Sequence, residues 1–189
     1  MKRIRTINTP DRIRTFDNIR ILTNDPSLTA WGWVIVDTKG NIIKAGCIKT
    51  ESEHKKRRIR KGDDTIRRVS EINEQLLKLI HENNVQILLS ELPHGSQNAQ
   101  AAVMIGIVTA IVQTISDIKG FPIEWYSEQD AKKHLLNKRS ATKKEVIDAI
   151  GKLYSIPWNN VKYKDEAIAD AMAIYHVAKN QSSLLKMNI

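Results

Sequence analysis

Cysteine is almost missing from these 189 residues: Cys47 stands alone, so the chain has no internal disulfide and no thiolate metal cluster, which suits a reducing compartment. Glycine and proline are sparse, at 8 and 5, which excludes collagen-like and low-complexity chains. No stretch stays apolar over the ~20 residues that a helical membrane span needs. The most apolar one, residues 101–112, is closed by Gln100 and Gln113. The first 20 residues carry charge but no apolar segment of the kind a secretory signal contains. No internal repeat is visible. A soluble, cytoplasmic protein without a membrane partner is therefore expected. The length fits one globular unit and excludes a two-domain enzyme.

What the chain does have is a 41% share of hydrophobic residues, enough for a real core, and an excess of positive charge. Lysine and arginine number 30 against 21 acids, a formal net charge of +9. Such an excess is the footprint of a protein that meets a polyanion, with nucleic acid ahead of an anionic membrane surface. The densest run holds Lys55, Lys56, Arg57, Arg58, Arg60 and Lys61, in a segment over residues 51–64 that reads as a loop. It is either a solvated loop or a phosphate-contacting one.

Residues 1–19 show no period that would bury a face, and read as a basic arm that is poorly ordered. A single domain is expected over 20–180, followed by a tail over 181–189. Ile21-Leu22-Thr23 starts a short strand that Pro26 ends, which leaves Asp25 at its C-terminal tip. Residues 31–36 and 42–48 are β-branched and aromatic, and the Asp37-Thr38-Lys39-Gly40-Asn41 segment between them reads as a hairpin turn. Apolar residues Ile66, Val69, Ile72, Leu76, Leu77 and Ile80 recur at helical spacing over 64–83. Val85-Gln86-Ile87-Leu88-Leu89 is apolar enough for a buried parallel strand and delivers Glu91 at its end. Residues 98–118 read as a helix apolar on nearly all sides, destined for the core or for a dimer interface. A strand over 123–126 and helices over 127–136, 141–154 and 164–180 complete an α/β domain in which three antiparallel strands open a mixed sheet.

In an open α/β sheet the ligand crevice lies beyond the carboxyl ends of the strands, where Asp25 and Glu91 are both expected. The last helix adds Glu166 and Asp170, four apart and so on one face. Asp165 and Glu166 suit the start of a helix, whose dipole favours acids. Asp170 does not, because its neighbours in Ala167-Ile168-Ala169-Asp170-Ala171-Met172-Ala173-Ile174 are small and apolar. A carboxylate there is costly unless a cation or a donor meets it. Oxygen-only ligands without cysteine or clustered histidine favour Mg²⁺ or Mn²⁺ over Zn²⁺. Two such ions would support phosphodiester hydrolysis.

These residues carry a resemblance. Asp25-Pro26-Ser27-Leu28-Thr29-Ala30-Trp31-Gly32-Trp33 resembles the first motif of the RuvC-type Holliday-junction resolvases, especially their phage forms, in the RNase H-like superfamily. Ile87-Leu88-Leu89-Ser90-Glu91 and Ala169-Asp170-Ala171-Met172-Ala173-Ile174 are similar to its second and last acidic motifs, so that the likeness covers about residues 20–178. It implies an RNase H-like fold with a mixed five-stranded sheet, three antiparallel strands and then two parallel ones, flanked by helices. It also implies a homodimer that nicks opposed strands of a four-way DNA junction with two Mg²⁺ per site, Mn²⁺ substituting. For a phage-encoded chain, the compartment would be the host cytoplasm.

By position, Lys132 and Lys143 match the two lysines with which the family addresses the scissile phosphate. The resemblance makes Asp25, Glu91 and Asp170 metal ligands and catalytic. The family's further acid, three residues before the last aspartate, is replaced here by Ala167, with Glu166 the substitute and Asp165 the reserve. Asn137-Lys138-Arg139 stands where bacterial members have a Gly-x-Gly loop, offering Lys138 and Arg139 to phosphates. His94 stands where they place an aromatic wedge. Trp31, Trp33 and Trp125 read as core packing ahead of base stacking, Cys47 as a small buried hydrophobe, and His176 as a surface or packing histidine. The rival expectations are a broader branched-DNA or flap nuclease of the same superfamily and a DNA-binding module that does not cut.

Overall fold

The computed structural model describes residues 19–187; the expected basic arm, apart from Ile19, lies outside them. Strands β1 (Arg20–Asp25), β2 (Ala30–Asp37) and β3 (Ile42–Lys49) form the expected antiparallel meander. Its second turn is closed by Asp37, whose Oδ1 accepts from the Lys39 and Asn41 amides at 2.9 and 2.8 Å, while Gly40 takes the positive φ of 86°. Strands β4 (Val85–Leu92) and β5 (Ile123–Ser127) add in parallel, giving the order β3-β2-β1-β4-β5. Strands β1, β4 and β5 point the same way, so their C-terminal ends share one edge of the sheet.

Two helices cover one face. Helix α2 (Lys61–Glu82) buries Ile72, Leu76 and Ile80, and helix α3 (Ala99–Lys119) buries Val108, Ile111, Val112 and Ile115, against Leu22, Trp31, Ile35 and Leu88. The helical period over-predicted this core: Ile66 and Leu77 lie outside it, 64% and 41% exposed. The 51–64 segment is also not a plain loop. It contains the short helix α1 (His54–Arg57), and α2 starts three residues earlier than its apolar pattern suggests.

Helix α3 has 21 residues and is long and apolar enough, by length and composition, to cross a bilayer, which the shorter apolar run did not suggest. Its inner face is packed in the core. Its outer face is not buried within the chain, since Val103 and Ile118 are 56% and 77% exposed.

The other face carries α4 (Glu128–Leu136), α5 (Lys143–Leu153) and α6 (Lys162–Gln181). Helix α6 is the central piece: every residue from Ala167 to Tyr175 is buried, and alternate alanines let its backbone approach the strands. The approach is closest at Gly32, where a Cβ would lie 2.0 Å from the Ala167 carbonyl oxygen. Thr23 on β1 donates its hydroxyl to the Ala171 carbonyl at 2.6 Å, which fixes α6 along its axis. The expected tail is partly structured: helix α7 (Ser183–Met187) buries Leu185, and the Leu184 amide donates to Glu124 at 3.2 Å. Cys47 is half-buried on β3 rather than enclosed.

The Gly32 contact gives a stability prediction. Gly32→Ala forces α6 away from β2, and should cost at least about 3 kcal/mol, which lowers the melting temperature by roughly 6–12 °C. Thermal denaturation followed by circular dichroism checks it; an unchanged midpoint would show that α6 does not rest on Gly32.

Candidate active site

Sheet register brings the acids together. Asp25, the last residue of β1, sits opposite Gly32, and Asn24 is paired with Ser90, so Glu91 emerges on the neighbouring strand at the same edge. Glu91 in turn is level with Tyr126 on β5, two residues before Glu128. Helix α6, held by Thr23 and seated on Gly32, lowers Asp170 onto this edge from the face side.

Lys143 answers the cost of burying Asp170. It opens α5 behind a capping box, in which Thr142 Oγ1 accepts from the Glu145 amide at 3.3 Å and Glu145 Oε2 accepts from the Thr142 amide at 2.7 Å. That start aims the ammonium at Asp170, with which it forms an ion pair. Asp170 is only 5% exposed, so the predicted need for a donor is met by the chain itself. Lys132 lies one turn into α4 and bonds Glu128 Oε1 at 2.5 Å, and that same oxygen is 4.0 Å from the Lys143 nitrogen.

Electrostatics agree with the geometry. Burial, then the charges of Glu91 and Asp170, holds Asp25 well above the usual carboxylate range. Burial, then Asp170 and Glu128, pushes Glu91 up to about 7. Asp170 is raised by burial against the opposing pull of Lys143. Lys143 is raised in turn, because burial, which would lower it, is outweighed by Asp170 and Asp25. Glu128 behaves differently: burial acts upward on it, but its bond to Lys132 and the charge of Lys143 bring it below its ordinary value. Neither the Asp25 nor the Glu91 carboxylate accepts a hydrogen bond from a described residue.

This donor set fits a hard divalent cation. Carboxylate oxygens are its only ligand type, two carboxylates keep both oxygens free of hydrogen bonds, and their mutual repulsion would be relieved by added positive charge. In the present side-chain arrangement Lys143 supplies the central positive charge, and among the described residues no three acidic, histidine or cysteine side chains close on one point.

Of the other predicted residues, Glu166 is half-buried on the first turn and a half of α6 and makes no ion pair or hydrogen bond with a described residue. Asp165 accepts the Asn159 amide at 2.8 Å, a structural bond. His94 is exposed, yet close enough that its charge acts on Glu128. Arg57 is paired with Glu53, Arg60 with Asp63 at 2.8 Å, and Lys138 with Glu145. Lys55, Lys56, Arg58, Lys61 and Arg139 are exposed and make no ion pair with a described residue. Trp31 is fully buried, its indole donating to Asn24 at 3.1 Å; His176 packs between helices and meets the Tyr154 hydroxyl at 2.9 Å.

Two residues escaped the sequence reading. Glu128 looked like an ordinary acid at a helix start. Arg68 looked like one more base on α2, but it is 9% exposed and donates to the Leu28 carbonyl at 3.0 Å, Thr29 Oγ1 at 2.8 Å and Thr50 Oγ1 at 2.8 Å. It ties α2 to the loop that follows Asp25. That loop, Lys61, Arg68, Asn98 and Gln100 border a cleft of about 560 Å³.

A mixed sheet opened by a meander, with acids gathered at the ends of β1 and β4 and a further acid on the closing helix, defines an α/β protein of the RNase H-like fold. Comparison with known proteins narrows the class: the family model for crossover junction endodeoxyribonuclease RuvC matches residues 21–177, and the chain belongs to that enzyme family. The crossover junction endodeoxyribonuclease RuvC of Gluconobacter oxydans is 26% identical over 169 residues, spanning 87% of this chain and 94% of its own. Among solved structures, Thermus thermophilus RuvC in complex with Holliday junction substrate superposes with a TM-score of 0.65 at 19% identity, over 84% of this chain and 92% of its own. The yeast mitochondrial Holliday junction resolvase Ydc2 gives 0.60 at 13% identity, over 90% and 81%. At these identities the two structures speak for the fold.

The raised acids set a pH dependence. A carboxyl whose folded value lies above its unfolded one costs the folded state nothing while both are protonated and costs most above the folded value. For Glu91 that window runs from its ordinary value of 4.5 up to about 7. In metal-free buffer, Glu91→Gln should therefore melt several degrees above wild type on the alkaline side of the window, with the gap closing below it. A constant gap across the window would show that the cost of ionising Glu91 is not the cause.

Proposed function

We propose that this chain is a metal-dependent endonuclease that resolves four-way DNA junctions by paired nicks, working as a homodimer. The observation that carries the reading is the group of three carboxylates at the sheet edge, Asp170 buried and Asp25 and Glu91 half-buried, served by two lysines, in a chain of the RuvC family. Asp25, Glu91 and Asp170 would hold two Mg²⁺ or Mn²⁺ ions, which supply an activated water and stabilise the leaving oxygen.

The chain's own residues do the remaining work. Lys143 and Lys132, held against Asp170 and Glu128, offer positive charge to a phosphate whose negative charge grows as the P–O bond breaks. The low dielectric that raises the acids strengthens those contacts too. Lys55, Lys56, Arg58 and Lys61 give sequence-independent affinity for the backbone, with Arg57 and Arg60 joining at the cost of their ion pairs to Glu53 and Asp63. His94, next to the site, and Lys138 and Arg139, in the turn before α5, extend the contact to the flanking arms.

The homodimer rests on the outer faces of α2 and α3. They leave an apolar groove of about 510 Å³ between Val69, Leu77, Ile107, Ala110, Ile111 and Ile118. A second copy of the same surface would cover it, and two centres related by a two-fold axis suit opposed cuts in a symmetric junction. Ile118→Asp should keep the fold, because the side chain is 77% exposed, and turn the dimer into a monomer in light scattering. A dimer of undiminished strength would move the interface elsewhere.

The activity is tested with end-labelled four-way junctions in Mg²⁺ and in Mn²⁺, beside duplex, flap and three-way controls. Paired nicks in the junction alone are expected. Asp25→Asn should lose cleavage by about 10²- to 10³-fold or more, while binding stays within about threefold because the phosphate contacts are untouched. Equal cutting of all branched substrates would make the protein a debranching nuclease, and tight binding without cutting a binding module.

A further inference from the structure

The acid that α6 lacks points to a replacement on another element. Ala167 occupies the turn of α6 pressed on Gly32, and Glu166, one residue earlier, meets no described partner. Glu128 is placed otherwise. It is the first residue of α4, directly beyond the C-terminal end of β5, the same edge of the sheet that carries Asp25 and Glu91. Its helix start is fixed by Ser127, whose hydroxyl accepts from the Asp130 amide at 3.0 Å.

From there its Oε1 lies 2.5 Å from Lys132 Nζ and 4.0 Å from Lys143 Nζ, while Lys143 also pairs with Asp170. Glu128 and Asp170 thus flank one cationic position from two different helices. We infer that Glu128 is a fourth cation-ligating carboxylate of the centre, acting with Asp25, Glu91 and Asp170 in place of an acid on α6. The inference rests on the metal-dependent reading above.

Three physical points support the assignment. Asp25 and Glu91 keep their carboxylate oxygens free of hydrogen bonds from described residues and so open to a cation, while Glu128 and Asp170 meet the ammonium groups that hold positive charge at the centre. Glu128 acts electrostatically on Asp25, Glu91, Asp170 and Lys143, so that it belongs to the same charged centre. With Glu128 at the start of α4, the four carboxylates come from four elements, β1, β4, α4 and α6, instead of two from one helix.

The test measures Mn²⁺ binding to the full-length, DNA-free protein by electron paramagnetic resonance of the free ion, at a pH above the Glu91 value. Glu128→Gln should weaken binding by at least about tenfold, the scale for removing a group that holds a metal site together. Glu128→Asp, which keeps the charge, should recover most of the affinity, and Glu166→Gln should bind as wild type. Melting curves of each variant separate loss of ligand from loss of fold. Normal Mn²⁺ affinity in a folded Glu128→Gln that cuts slowly would reduce Glu128 to a tether for Lys132 and overturn the inference. A larger loss in Glu166→Gln than in Glu128→Gln would overturn it in favour of α6. If wild type binds Mn²⁺ with the Glu128 dependence but cuts no junction, the ligand assignment stands and the functional reading falls; if wild type binds no Mn²⁺, both fall.

Discussion

Asp25, Glu91 and Asp170 bring three negative charges into one poorly solvated corner, and much of the architecture around them is arranged to hold them there. Burial raises each carboxyl first and like charge adds to it, Glu91 and Asp170 acting on Asp25, Asp170 on Glu91, and Glu128 on Asp170. A sheet edge bears this load because Asp25 and Glu91 are fixed by strand ladders, which do not yield to the repulsion as a loop would. Helix α6 is the weaker support, since it carries Asp170 on a separate element. It is secured by the Thr23 hydroxyl and by the close seat on Gly32.

The balancing charge is placed on movable groups. The acids start from rigid backbone, but Lys143 reaches in from the first residue of α5 with nearly half of its side chain exposed. Lys132 is more enclosed and tied to Glu128. Rotamer changes in a long side chain cost little compared with moving a strand. The site is therefore stiff in its negative charge and adjustable in its positive charge, which suits a centre that must meet a phosphate. The same division explains why Arg68 is buried without a carboxylate of its own: it donates to the loop beyond Asp25 and stiffens an irregular connection at the site.

Much of this was legible in the sequence. Pro26 punctuates β1 and leaves Asp25 at its tip, the apolar run before Glu91 reads as a buried strand, and Asp170 betrays itself by its alanine neighbours. Each is a local signal. Glu128 carried none, because an acid in the first turn of a helix is what the helix dipole favours anyway. Its role depends on β5 lying beside β4, a pairing between residues more than thirty apart. Arg68 was hidden for a similar reason, since its burial depends on the Leu28–Thr29 loop arriving from forty residues away. The hydrophobicity of α3 marks a helix for the core or an interface without telling the two faces apart, and the chain itself buries only the face turned to its own sheet.

Glycine and alanine on the β2–α6 contact connect the stability of the fold to the chemistry of the site. Small residues at Gly32, Ala167, Ala169 and Ala171 allow a backbone approach that larger side chains would block. That approach brings Asp170 onto the edge that carries Asp25, and the turn of α6 pressed on Gly32 carries alanine at 167, not an acid. A centre built on so close a contact gains its fourth charge more easily from the open end of the sheet, where β5 runs out into α4 and a glutamate can enter without displacing packed atoms.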